Sequence, residues 1–200
     1  MRRLPLIFLP AALALALVLG FFLWRASDGL PGLGRVVGTG TASIGAPFTL
    51  TDQDGRKRRS ADFAGHYMLI YFGYAHCPDV CPTTLALMAD ALAKAGPAAD
   101  HVVPIFITID PERDTPAVLK PYVRSFGPSF VGLTGDLKTI AKTAADYRVY
   151  FRKHPLENGD YGLDHSSVIY LMGPDGKFVA YWDDTAIGPD KLAAELRARL

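Results

Sequence analysis

The chain has 200 residues, and setting aside an apolar N-terminal segment leaves about 150 to 160, enough for one domain with a substantial core but not for a second. The formal charge is +1 with both signs interspersed, which excludes the basic footprint of a nucleic-acid binder. Only two cysteines are present, so their spacing decides what chemistry they can do.

Arg2 and Arg3 precede an uncharged, largely apolar stretch of 21 residues, Leu4 to Trp24, closed by Arg25. As a helix it covers roughly 30 Å, the thickness of a bilayer hydrocarbon core. A cleaved signal peptide normally has a shorter apolar region and a small-x-small end, where this chain has Phe21, Phe22, Leu23 and Trp24. The expectation is an uncleaved single-pass anchor over residues 1–25. With Arg2 and Arg3 on the cytoplasmic side, the remainder lies in the periplasm or an equivalent extracytoplasmic space. Residues 26–46, in which glycine recurs without apolar periodicity, read as a flexible tether, and residues 47–200 as the folded domain.

Phe48 to Leu50 and the turn at Asp52-Gln53-Asp54-Gly55 suggest a small hairpin. Tyr67 to Tyr74 is a continuous apolar run, expected of a central strand buried on both faces. Residues 82–95 carry Leu85, Met88, Ala89 and Leu92 at helical spacing. A second buried strand over 102–109, a helix over 116–126, a short strand over 130–133 and a helix over 136–147 with Asp136 at its start come next. Residues 167–172 and 178–182 flank the turn Pro174-Asp175-Gly176, and a final helix starts at Pro189. This order predicts an α/β three-layer sandwich with a mixed sheet, and it resembles the thioredoxin fold.

His76-Cys77-Pro78-Asp79-Val80-Cys81-Pro82 follows the central strand, at the sheet edge where ligands collect in open α/β folds. Cysteines four apart over one helical turn share a face, which permits a disulfide or a shared metal. Pro78 and Pro82 cannot both sit inside a regular helix, so part of the segment is an irregular turn whose positive helix end favours thiolate. Two thiolates and an imidazole make a soft donor set suited to Cu(I), whereas a closed zinc site wants a fourth ligand. Five histidines compete for the third position: His66, His76, His101, His154 and His165. His165 leads because Asp164-His165-Ser166-Ser167 precedes the strand at 168, where thioredoxin-like folds normally place a cis-proline opposite the redox motif. His76 is second, since a neighbour of Cys77 in extended chain points the other way.

Three segments together resemble the Sco/SenC family: residues 71–82, then Ile107-Thr108-Ile109-Asp110-Pro111-Glu112-Arg113-Asp114-Thr115, then Asp164-His165-Ser166. The likeness spans about residues 44 to 200. It implies a copper metallochaperone that delivers copper to, or maintains the thiols of, the dinuclear Cu-A centre of cytochrome c oxidase, with Cys77, Cys81 and His165 as ligands of Cu(I) and also of Cu(II). The implied partners are the copper-bearing oxidase subunit, an upstream copper donor, a thiol reductant, and the membrane through residues 4–24. A Cys77–Cys81 disulfide would exclude the metal, making redox state a switch.

The alternatives are a membrane-anchored thiol-disulfide oxidoreductase using Cys77 and Cys81 as its redox-active pair, or a copper or redox sensor. A purely structural disulfide is disfavoured, because so short a loop removes little unfolded-state entropy. Among neighbouring residues, Asp79 reads as a helix cap, and Asp164 as either a partner of the His165 ring or a turn former. Residues 110–114 read as a solvated loop that a partner can contact, Met88 as core, and Arg56-Lys57-Arg58-Arg59 as an exposed turn within reach of anionic lipid.

Overall fold

The computed structural model describes Val18, residues 44–157 and residues 159–200. Apart from Val18, the anchor expected from the sequence and all but the end of the tether lie outside the described residues. Among the described residues, no helix is long and apolar enough to cross a membrane.

The apolar run after residue 66 forms β3 (Tyr67–Gly73), preceded by the hairpin of β1 (Thr49–Asp52) and β2 (Lys57–Arg59). Asp52 shapes the hairpin turn: its Oδ1 accepts from the N–H groups of Asp54 at 3.0 Å and Arg56 at 2.9 Å. The basic run is therefore mostly strand, with Lys57 and Arg59 exposed and the Arg58 guanidinium 5.0 Å above the Phe63 ring. Helix α1 (Val80–Ala95) leads to β4 (Val102–Thr108), then α2 (Pro116–Arg124), β5 (Val131–Thr134) and α3 (Leu137–Asp146). Asp136 caps α3 as expected, accepting from Thr139 N–H at 2.8 Å. The chain closes with β8 (Val168–Met172), β9 (Phe178–Asp183) and α4 (Pro189–Arg197), after a hairpin of β6 (Phe151–Pro155) and β7 (Tyr161–His165).

Seven strands make one mixed sheet in the order β2-β1-β5-β4-β3-β8-β9. The β3–β4 and β4–β5 pairs are parallel, as strands joined by helical crossovers must be, and β8 returns antiparallel to β3. Continuous burial along β3 follows from helices on both faces. On one face Tyr71 and Phe106 lie under α1 and α2, with Phe106 5.3 Å from Tyr122 between ring centroids, and α4 packs along α1. On the other, Phe72 meets Tyr147, at the end of α3, at 5.3 Å. Burying each large apolar side chain is worth about 1.5–3 kcal/mol, so this central strand is firmly anchored.

Two departures from the sequence reading bear on the site. Residues 44–46 belong to the folded part, since Gly45 N–H donates to Asp146 C=O at 2.8 Å. The β6–β7 hairpin was not expected, and it forms its own two-stranded sheet outside the seven-stranded ladder.

Candidate metal centre

The site begins where β3 ends. Gly73 is the last residue of the strand, and a Cβ there would lie 2.8 Å from Cys81 Sγ and 3.0 Å from the Phe106 ring. Only glycine lets α1 come this close. A turn follows, closed by Cys77 N–H donating to Tyr74 C=O at 3.2 Å. Cys77 and Pro78 sit before the helix, and Pro82 lies in its first turn, where its missing N–H costs no helical bond. Asp79 occupies the N-cap position, but its side chain makes no capping bond. The sulfur of Cys77 does that instead, accepting from Cys81 N–H at 3.4 Å.

His165 ends β7, opposite Phe151 in the hairpin register, so it comes from a strand rather than a loop. Its Nε2 is 3.3 Å from Cys81 Sγ, and the ligand atoms of Cys77, Cys81 and His165 all lie within 4.8 Å of one another. The ring is flanked edge-on by Tyr71 and Tyr74, each 6.1 Å away between centroids. Its Nδ1 is 3.0 Å from the Ser166 carbonyl. A carbonyl only accepts, so Nδ1 donates to it, and this bond fixes the ring with Nε2 facing the sulfurs.

The two thiols differ. Cys81 is fully buried, and its hydrogen bond to Cys77, then burial, push its thiol above the ordinary range. Cys77 is half-buried, and the hydrogen bond from the Cys81 thiol, aided by the His165 ring and then by the amide N–H groups of Cys81 and Asp79, holds it well below that range against the opposing effect of burial. The metal-free pair is one outer thiolate and one inner thiol, and both cysteines are free.

The other histidines stay apart. His76 Nδ1 faces Asp114 Oδ1 at 3.4 Å with its side chain 47% exposed. His66 and His101 lie 6.3 Å from each other between ring centroids, beside the first residues of β3 and β4 at the opposite edge of the sheet. His154 and Arg152 each pair with Asp164 at 3.2 Å. Asp164 is thus neither the ring's partner nor a turn former: strand alternation points it away from His165. Met88 is buried core. The loop at 110–114 is not simply solvated, for Asp110 is 1% and Asp114 0% exposed. An open cleft of about 530 Å³ faces the site, lined by Tyr74, Cys77, Val80, Leu156, Tyr161 and His165 among others.

A mixed sheet with helices on both faces, a Cys-x3-Cys pair opening the helix after the central strand, and a histidine opposite define a thioredoxin-like domain with a three-donor site. The sequence model of SCO1/SenC matches residues 37–200, and the chain belongs to that family. It is 46% identical over 145 residues to the mitochondrial SCO2 homolog of Bos taurus, covering 70% of this chain and 54% of that protein. The chain spans about half the length of the curated relatives it matches. Among solved structures, ScoI of Bradyrhizobium japonicum with copper bound is 48% identical at a TM-score of 0.72, covering 78% of this chain and 99% of that one. ScoI of Arabidopsis thaliana with copper bound is 40% identical at a TM-score of 0.75, covering 78% and 96%.

Proposed function

We propose that this chain binds copper, Cu(I) foremost and Cu(II) as a second species, through Cys77, Cys81 and His165, and passes it to the copper-bearing subunit of cytochrome c oxidase. The observation that carries the reading is the convergence of two sulfurs and an imidazole nitrogen within 4.8 Å, with Nε2 already turned inward. This donor set suits a soft, low-coordinate ion, and the two copper-bound ScoI relatives support it. Binding displaces the proton held by Cys81, so uptake releases protons and weakens as pH falls. Joining the two sulfurs as a disulfide gives up two electrons to an oxidant and removes both sulfur donors, and a thiol reductant reopens the site. The chain is anchored through residues 4–24, with its domain outside the cytoplasm, where an upstream donor supplies the metal.

The outer thiolate of Cys77, half-exposed beside a protonated Cys81, favours a second reading, that the domain reduces the thiols of the recipient site. Anaerobic titration of the reduced full-length chain with Cu(I) separates the two. The chaperone reading expects one ion per chain, lost in Cys77→Ser and weakened in His165→Ala. Turnover of a disulfide substrate without copper, and no stoichiometric binding, would establish the reductase instead.

A further inference from the structure

The β6–β7 hairpin that carries His165 shares no backbone ladder with the main sheet. A lone two-stranded hairpin is marginal in water, so side-chain contacts must hold it in place. Leu163 supplies one anchor, buried in the core with its N–H donating to the Tyr74 hydroxyl at 3.4 Å, and the polar contacts of Tyr161 come from the loop between β4 and α2. Arg113 Nε donates to Asp110 Oδ2 at 2.5 Å, while its Nη1 donates to Asp160 Oδ1 at 3.0 Å and to Tyr161 C=O at 3.1 Å. The guanidinium lies 3.7 Å from the centroid of the Tyr161 ring, and the Tyr161 hydroxyl donates to Asp110 Oδ1 at 2.8 Å. Tyr161, Leu163 and His165 share one face of β7, so gripping the first sets the orientation of the last, about 13 Å along the strand.

The same loop holds the other half of the site. Asp114 Oδ2 accepts from Ala75 N–H at 2.9 Å and from Thr108 Oγ1 at 2.6 Å, fixing the turn two residues before Cys77. We infer that residues 110–114 form a jig that sets His165 against the cysteines, with Arg113 the positioning residue for the histidine; this rests on the copper reading above. A guanidinium suits the task because its rigid fork makes several bonds in one plane while its face stacks on a ring.

Arg113→Gln in the full-length chain tests it through three measurements. Cu(I) affinity, from competition with a chromophoric chelator, should fall about 10- to 100-fold, as for partners that orient a ligand. In a His165→Ala background the same substitution should add less than about twofold, since its effect runs through that ring. In the metal-free protein, amides of 161–165 should exchange hydrogen faster while those of β3 do not change. Unchanged affinity, an equal loss in both backgrounds, or faster exchange throughout β3 would overturn the inference, the last marking general loosening. Should the wild-type chain bind no Cu(I), the function proposed above falls, and the exchange comparison alone decides the positioning role. If Arg113→Gln fails to fold, Tyr161→Phe keeps the stacked ring and loses only the bond to Asp110. It should show the same His165 dependence at about three- to tenfold, and no dependence would be equally fatal.

Discussion

The two halves of the candidate site are held by different kinds of structure. Cys77 and Cys81 hang from the centre of the sheet: β3 is hydrogen-bonded on both sides, and Cys81 is packed against Gly73 and Phe106 without solvent contact. His165 sits on a hairpin outside the main ladder, fixed by the buried Leu163 side chain and by polar and stacking contacts of Tyr161. Secure sulfurs and an imidazole carried on a separate hairpin suit a carrier, because a donor outside the main ladder can detach while the sulfurs stay held.

Breaking the secure half should have the largest effect. Cys81→Ser is expected to abolish stoichiometric Cu(I) binding in a chelator competition, whereas His165→Ala leaves a two-sulfur complex weakened by more than the roughly 100-fold that an orienting partner is worth. Equal losses from the two would erase the asymmetry. Gly73→Ala comes next, since its methyl group meets Cys81 Sγ and Phe106 at 3.0 Å or less, and neither has room to move. It should cost about 1–3 kcal/mol in denaturant unfolding and weaken copper binding as well.

The pH dependence of stability sharpens the comparison further. Burial raises the Asp114 carboxyl above its ordinary 3.8, so the folded protein holds that proton more tightly than the unfolded chain does. Its contribution is complete below 3.8 and is lost as pH rises through the raised folded value. Asp114→Asn, fixed in the neutral state, should remove this decline from a plot of Tm against pH. The smallest expected effect lies away from both halves: Asp136→Ala deletes the cap of α3 and should lower Tm by about 2–4 °C without changing Cu(I) affinity.

Much of this was readable beforehand because the signals were local. The apolar run of β3, the paired prolines around the cysteines and the Asp136 cap each act within a few residues, and the structure places them as expected. The β6–β7 hairpin was missed because Phe151-Arg152-Lys153-His154-Pro155 mixes cations and a proline, which does not read as strand, although the sequence pair Asn-Gly that follows it is of the type that favours hairpins. Asp110 and Asp114 looked solvated because, beside the nearby Arg113 and Thr108, each is satisfied by a group far along the chain, Tyr161 and Ala75, 51 and 39 residues away. Asp79 looked like a cap by residue type, and nothing local indicates that a sulfur takes its place.

The three-residue strand β2 closes one end of the seven-stranded sheet with Lys57, Arg58 and Arg59. An open sheet edge is a template on which a second copy can add its own strand and begin to aggregate. Here the invitation is short and cationic, so two such edges brought together would oppose like charges over too few backbone bonds to compensate. The basic run read from the sequence as an exposed turn is thus a short cationic edge strand, poorly suited to pairing with a second copy.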